Sequence, residues 1–353
     1  MNKSIQNKVI EIIDQEHKEL YGFSSLQQLK SIDRYKTWIE NGYHGNMSFL
    51  KTHIAYKEDP KKLMSQVNSA IVFSFPYFPN PKANTPFPQL RTSLYAQLDD
   101  YHFWLKNKLK DICAKLASEF PEDHFLPMTD SSPVLERDIA LQAGLGWIGK
   151  NSCLIHPSGG SLFFIGEIYT SLDLKSLGER IHNFCGNCTR CVDICPTQAI
   201  MEDNQIDARK CISYLNIELK GIPSRDLRPK MKDWFFGCDL CQTVCPWNEH
   251  TFGKQEMQLL SKDVQSSPQS PALEAELREI FTSSNKSLEK RCYGSPLARA
   301  RGFGLKRNAI LIATNLGLIN LLPHIQMLGS QEKLKELVLW SEAELKGDVK
   351  SSI

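Results

Sequence analysis

The stretch Cys185–Pro196, CGNCTRCVDICP, and its echo at Gly237–Pro246, GCDLCQTVCP, decide how this chain is read. The first is C-x2-C-x2-C-x3-C-P, the pattern of two-cluster bacterial ferredoxins, in which three thiolates hold one [4Fe–4S] cluster and the fourth crosses to the other. The second run keeps the C-x2-C-x3-C-P ending but has Phe235 where its first cysteine would stand. The missing ligand must come from elsewhere, and Cys211, isolated in KCISYL between the runs, is the obvious replacement. The pattern therefore predicts Cys185, Cys188, Cys191 and Cys245 on one cluster, and Cys195, Cys211, Cys238 and Cys241 on the other. Zinc ribbons want two C-x2-C pairs with a spacer and have no use for a triple run ending in Cys-Pro. Disulfides need an oxidising compartment, and the first 30 residues lack the long apolar run of a signal peptide. Cys113, Cys153 and Cys292 fit neither run and read as ordinary buried thiols.

A chain of 353 residues has room for two or three domains. Its hydrophobic content of 41% and charged content of 23% are those of an ordinary soluble protein. No stretch of apolar residues is long enough to span a bilayer, so no membrane role and a cytoplasmic location are expected. The net charge of +2 says little, because a near-neutral chain can still carry a basic face. Between Lys286 and Arg307 seven basic residues (Lys286, Lys290, Arg291, Arg299, Arg301, Lys306, Arg307) stand against one acid, Glu289. A second group, Lys220, Arg225, Arg228, Lys230 and Lys232, stands against Asp226. Either alone reads as a solvated face; two flanking a redox centre point to a polyanionic partner.

Residues 1–180 read as an α/β or α+β unit. It opens with an amphipathic helix carrying Ile5, Val9, Ile12, Ile13 and Leu20, with strands at Ser69–Phe75 and Ser161–Tyr169 and a long helix around Tyr101–Phe120. Phe75–Pro88, with five prolines, must be a loop. Residues 181–250 form the cluster domain, and its internal repeat, CTRCVDICPTQ against CDLCQTVCPWN, is the pseudo-symmetry of a two-cluster fold. After a polar linker at 261–271, residues 251–353 read as helices, notably Leu305–Leu316 and Gln331–Leu345.

Gly144–Lys150, GLGWIGK, matches G-x-G-x-x-G and nearly matches a P-loop. Here, however, the glycines follow a helix (VLERDIALQA, started near Asp130–Pro133) and lead into a strand, the reverse of a nucleotide site, and Asn151 replaces the magnesium-binding Ser/Thr. A tight turn lining a different cofactor is the better reading. Asp130, directly before SSPVLER, admits two roles, a helix cap or a carboxylic acid delivering a proton beside a redox cofactor.

Tyr43–Leu50 (YHGNMSFL), Asp100–His102, Asp130–Arg137 with Gly144–Ser152 (GLGWIGKNS), Gly160–Glu167 (GSLFFIGE), both cysteine runs, Cys211–Glu218 (CISYLNIE), Leu227–Pro229 and Gly237–Trp247 occur in order. Together they resemble the epoxyqueuosine reductases, cobalamin-dependent iron–sulfur enzymes of the last step of queuosine synthesis. The resemblance runs from about residue 40 to 320. It implies a nitroreductase-like cobalamin domain, a two-cluster ferredoxin domain and C-terminal HEAT-like helices contacting tRNA, in a monomer fed by an external low-potential electron donor. The implied reaction takes the epoxide of epoxyqueuosine in the tRNA anticodon loop to an alkene, with two electrons, two protons and release of water. Asp130 matches the family's proton donor. The implied cobalamin contacts are Lys57, Asp130, Asn151, Ser152, Ser161, Ser213, Lys220 and Asp239. Lys57 and Leu94 stand where relatives carry arginine, and the cobalamin signature Asp-x-His-x-x-Gly is absent. His102 and Tyr101 are candidates to line the active site.

Two alternatives compete. A reductive dehalogenase shares the domain order in outline but would carry an export signal and has no reason for basic patches. A simple electron carrier needs little beyond its cysteines, whereas most of this chain lies outside them.

Overall fold

The structure, a computed structural model, describes residues 3–26, 29–78, 85–177, 181–261 and 270–347. Its frame is a four-stranded sheet formed by β1 (Tyr21–Ser25), β2 (Ser69–Pro76), β4 (Phe125–Met128) and β7 (Phe163–Thr170), in the order β1-β2-β7-β4. Every neighbouring pair is antiparallel, which selects α+β over α/β for this unit. The period-two alternation of a strand gives each face its own core. Ile71, Phe73 and Phe75 of β2 pack with Val9 and Ile13 of the helix Lys3–Glu16 and with Leu105, Leu109 and Ile112 of the helix Tyr101–Glu119. Ala70 and Val72 point the other way, to Ile139 and Ala140 of the helix Glu136–Gln142. With both faces covered, SAIVFSF is buried throughout, and each large apolar side chain contributes about 1.5–3 kcal/mol.

The helix beyond Asp130 begins later than expected, at Glu136. Thr129–Val134 is a turn in which Ser132 Oγ accepts from Thr129 N–H at 3.1 Å and the Ser132 N–H donates to the Thr129 carbonyl at 2.7 Å. Pro133 therefore closes a turn here and does not open a helix. The Asp130 side chain caps nothing and is left for other partners.

As expected, GLGWIGK follows a helix and enters a strand: β5 (Trp147–Ile148) pairs antiparallel with β6 (Leu154–Ile155). Gly146, at φ +150°, has no alternative there, because a Cβ would collide with the Ile155 carbonyl.

A short parallel pairing, Arg91 with Trp234 and Thr92 with Phe236, joins β3 (Arg91–Thr92) to β8 (Trp234–Phe236) and so ties the first unit to the cluster region. Around it lies the largest core. Phe87, Leu90 and Ala96 share it with Ile212, Leu215, Phe235 and Phe236, and with Leu277, Leu305, Ile310 and Leu337 of the C-terminal helices Pro271–Thr282, Arg301–Asn315 and Glu332–Lys346. Phe235, in the place of a cysteine, has become a core residue with no exposed surface, set edge-on to Phe87 at 5.4 Å. Parts of the expected loop 75–88 and linker 261–271 lie outside the described residues.

Candidate active site

The eight cysteines of the two runs and of Cys211 are free thiols. Burial pushes the Cys191 thiol up to about 11, and the neighbours adding to that rise are Cys185, Cys245 and Cys188. Cys245 is raised mainly by burial and next by Cys185 and Cys188. Cys211 and Cys238 are raised by burial, and the thiols acting on them are Cys195 for the first and Cys211 and Cys195 for the second. Cys241 responds to burial and then to Cys153, Cys238 and Cys211. The thiols acting on Cys191, Cys245, Cys211 and Cys238 come from within the set that the spacing predicts for each, whereas Cys241 is also acted on by Cys153, outside both sets. Among the described residues no group of three or more His, Cys, Asp or Glu could hold a single metal ion. Eight thiols in two sets of four fit two cubane clusters, whose charge would reverse the rise that burial imposes on each thiol.

The quartets differ in depth. Around Cys185 and Cys188 the residues 182–184, 186 and 187 are exposed, whereas Phe236, Gly237, Asp239 and Leu240 around Cys238 are buried. Gly237, at φ +69°, must be glycine because a Cβ would run into Ser93 Oγ. Lys150, the lysine of the P-loop-like stretch, pins the outer loop by donating to the carbonyls of Gly186 at 2.8 Å and Cys188 at 2.9 Å. Burial raises the Cys153 thiol, in keeping with a buried thiol. It acts on Cys241 and is acted on by Cys245 and Cys191.

Asp130 belongs to an array at the start of the helix Tyr101–Glu119, whose cap is Asp100. Its carboxylate accepts from the Tyr101 hydroxyl and bonds His102 Nε2 at 3.0 Å. The other imidazole nitrogen meets Asp100 Oδ1 at 2.6 Å. Tyr101 is held from behind by stacking on Phe164 of β7 at 4.2 Å. Burial alone would raise the Asp130 carboxyl, but the bonds from His102 and Tyr101 outweigh it and hold it low. His102 rises to about 9, first through its bond to Asp130. At neutral pH the proton of this array sits on His102, with Asp130 ionised. The array opens to solvent, with 46% of the Asp130 side chain and 38% of the His102 side chain accessible.

Behind it lies a buried set that sequence reading had in part missed. Lys57 is buried, donates to the Val134 carbonyl, and is lowered to about 8 by burial. Glu136 is raised to about 8 by burial and then by Asp130. Glu167 is raised further by burial and Glu136, and its Oε1 is buried without a partner. A lone acid in the otherwise apolar strand FFIGEIYT was the available clue.

The other expected cofactor contacts fall into two groups. Asn151 Nδ2 donates to the Cys241 carbonyl at 3.2 Å, and Ser152 Oγ donates to Asn204. Ser161 Oγ donates to Gln242 at 3.0 Å. Asp239, raised to about 6 by burial, accepts from the Leu94 N–H at 2.7 Å. Ser213 is half-buried and Lys220 exposed.

The basic stretches do not form uniform faces. Lys306 and Arg307 are buried, and Arg307 donates to the carbonyls of Leu219, Gly221 and Asn216. Arg228 is also buried and pairs with Glu336 at 2.5 Å. Arg291 meets Glu279 at 2.5 Å. The charges of Arg307, Arg228 and Arg291 are spent on the protein itself. Arg299, 56% exposed, pairs with Glu218 at 2.8 Å and still acts on Asp130 and Tyr101. Lys286, Lys290 and Arg301 are exposed.

A family model described as a 4Fe-4S double cluster binding domain matches residues 184–248, and one described as Epoxyqueuosine reductase QueG, DUF1730, matches residues 57–131. An epoxyqueuosine reductase of Cyclobacterium marinum is 41% identical over 276 residues, covering 78% of this chain and 86% of the relative. The chain belongs to the epoxyqueuosine reductase family. The epoxyqueuosine reductase of Escherichia coli is 35% identical over 303 residues, 84% of this chain and 76% of that one. A solved epoxyqueuosine reductase, in complex with an epoxyqueuosine-modified tRNA-Tyr stem loop, superposes with a TM-score of 0.78 over 97% of this chain and 90% of its own. At 24% identity that likeness is one of fold. Membership makes this an oxidoreductase with a double-cluster domain and sets aside both the dehalogenase and the simple carrier. Among the described residues no helix is long and apolar enough to cross a membrane.

Proposed function

We propose that this protein reduces the epoxide of epoxyqueuosine in the tRNA anticodon loop to the alkene of queuosine, with electrons passed through two [4Fe–4S] clusters. The observation that carries the reading is the Asp130–His102–Tyr101 array on a chain that matches a 4Fe-4S double cluster binding domain over residues 184–248. The order of electron flow follows from depth. A low-potential donor reduces the cluster on Cys185, Cys188, Cys191 and Cys245, which passes electrons inward to the one on Cys195, Cys211, Cys238 and Cys241.

Cobalamin, when bound, would supply low-potential cobalt redox chemistry beside the epoxide. The residues fit such a cofactor. Ser213 is half-buried and Lys220 exposed, and their hydroxyl and ammonium groups are chemically suited to a cofactor that carries a ring of carboxamides and a phosphate. Lys57, Asp130, Asn151, Ser152, Ser161, Ser213, Lys220 and Asp239 would hold it on a nitroreductase-like frame.

The chain's own residues supply the proton. His102 stores it at neutral pH, and Asp130 Oδ1, 3.0 Å from His102 Nε2, passes it to the departing oxygen. The second proton comes from solvent at the open mouth, and water leaves. The exposed cations Lys286, Lys290, Arg299 and Arg301 on the HEAT-like C-terminal helices suit the phosphates of the tRNA. The protein acts as a cytoplasmic monomer.

The test is anaerobic reconstitution with iron, sulfide, cobalamin, a strong reductant and epoxyqueuosine-containing tRNA, followed by mass spectrometry of the nucleosides. Loss of one oxygen from the modified nucleoside is expected. Its persistence in protein carrying both clusters and cobalamin would overturn the reading.

A further inference from the structure

Trp147 is 1% exposed, and its indole N–H has no partner. A buried donor without an acceptor is rare because its loss of hydration goes uncompensated. The side chain packs with Ile155 and Cys245, with Ile181, Cys185 and Trp247 around it. Its ring stands edge-on to Trp247 at 5.0 Å and to Phe184 at 5.3 Å. Among the side chains of these neighbours the only acceptors are the sulfurs of Cys185 and Cys245, both of the outer quartet, and neither is within hydrogen-bond reach of the indole in the protein alone. The backbone cannot swing the ring away, because Trp147 is fixed in the β5–β6 ribbon opposite Ile155. The residue also sits two positions before Gly149-Lys150, whose lysine holds the carbonyls of the same cysteine loop.

We infer that the Trp147 indole N–H donates to a sulfur of the cluster held by Cys185, Cys188, Cys191 and Cys245, and so sets the reduction potential at which electrons enter the enzyme. A cluster gains negative charge on reduction, so a hydrogen bond to its sulfur stabilises the reduced form and raises the potential. Trp147 is then a positioning and tuning residue, not a ligand. The inference rests on the reading of those four thiols as cluster ligands.

The test uses the full chain, reconstituted anaerobically and labelled with indole-15N tryptophan. Pulsed electron paramagnetic resonance of the reduced protein should show a 15N coupling to one cluster, retained in Trp247→Phe and absent in Trp147→Phe. Potentiometric titration of Trp147→Phe should move the midpoint of that cluster to more negative potential and leave the other unchanged, with iron and sulfide content intact. Two clusters without any indole coupling, or with the coupling lost in Trp247→Phe instead, would overturn the inference while leaving the ligand assignment standing. Failure to build a cluster on the four thiols would remove the assignment and the inference together. If Trp147→Phe loses iron, the Trp247→Phe coupling decides.

Discussion

Replacing Asp130 by Asn tests the central electrostatic claim, because Asn can still accept from Tyr101 but no longer holds a proton on His102. His102 is raised from its ordinary 6.5 to about 9, with Asp130 the main cause. At roughly 1.4 kcal/mol per pH decade that rise corresponds to about 3 kcal/mol if fully desolvated. The imidazole is 38% exposed and the carboxylate 46% exposed, and solvent screening brings the figure to about 1 kcal/mol. A raised histidine contributes its full stability below its unfolded value and loses it as pH climbs toward the folded one. Asp130, held low, contributes above the usual carboxylate range and loses its share only on acidification. The two windows overlap between roughly pH 5 and 6.5, where both groups are charged. Unfolding of the cluster-loaded protein should therefore show Asp130→Asn weaker by about 1 kcal/mol near pH 6, with the gap closing above about pH 9. A gap that is equal at the two pH values, or wider at the alkaline one, would refute the pairing. Turnover of the wild type should fall on the same alkaline limb, and Asp130→Asn should lose roughly 10²–10⁴-fold at neutral pH.

Other outcomes are as specific. Cys211→Ser should reduce iron from roughly eight to roughly four atoms per chain while leaving the outer cluster's spectrum in place; full iron content would return Phe235's neighbourhood to the search for a ligand. Arg307→Ala strips donors from the buried carbonyl of Asn216 and the less buried ones of Leu219 and Gly221 and should destabilise by about 2–3 kcal/mol in denaturant titration. Charge reversal at Arg299 and Arg301 should instead cost only about 1 kcal/mol, through the exposed Arg299–Glu218 pair, and weaken tRNA binding with a reduced salt slope, read by filter binding across salt concentrations. Gly237→Ala, forcing a Cβ against Ser93 at φ +69°, should lower stability by at least about 1 kcal/mol and disturb the loading of the inner quartet.

What could be read from the chain alone was whatever local spacing constrains. Thiol ligation imposes intervals on neighbouring residues, so the grouping of Cys185 with Cys188 and Cys191 was legible, and Phe235 alone pointed to Cys211. The strands SAIVFSF and SLFFIGEIY announced themselves by apolar content. Asp130 was ambiguous because a cap and a proton donor look alike nearby, and its deciding partners lie 28 and 29 residues away. Charge counting misplaced Arg307 and Arg228, since a tally of cations takes no account of carbonyls and carboxylates brought from elsewhere, and it missed that Lys306 is buried. The β3–β8 pairing, two residues on each side, is too short for any periodicity to betray.

The core that Phe235, Ile212 and Leu215 share with the C-terminal helices bears on how the enzyme is made. During synthesis the thiols Cys211 and Cys238, which pack against this core, leave the ribosome before Leu277, Leu305 and Leu337 exist to cover them. Iron and sulfide must reach the inner quartet while that flank is open, or wait for it to reopen. Maturation of the inner cluster is thereby set in a race with closure of the last helices, and a chain that folds too soon traps itself without its metal.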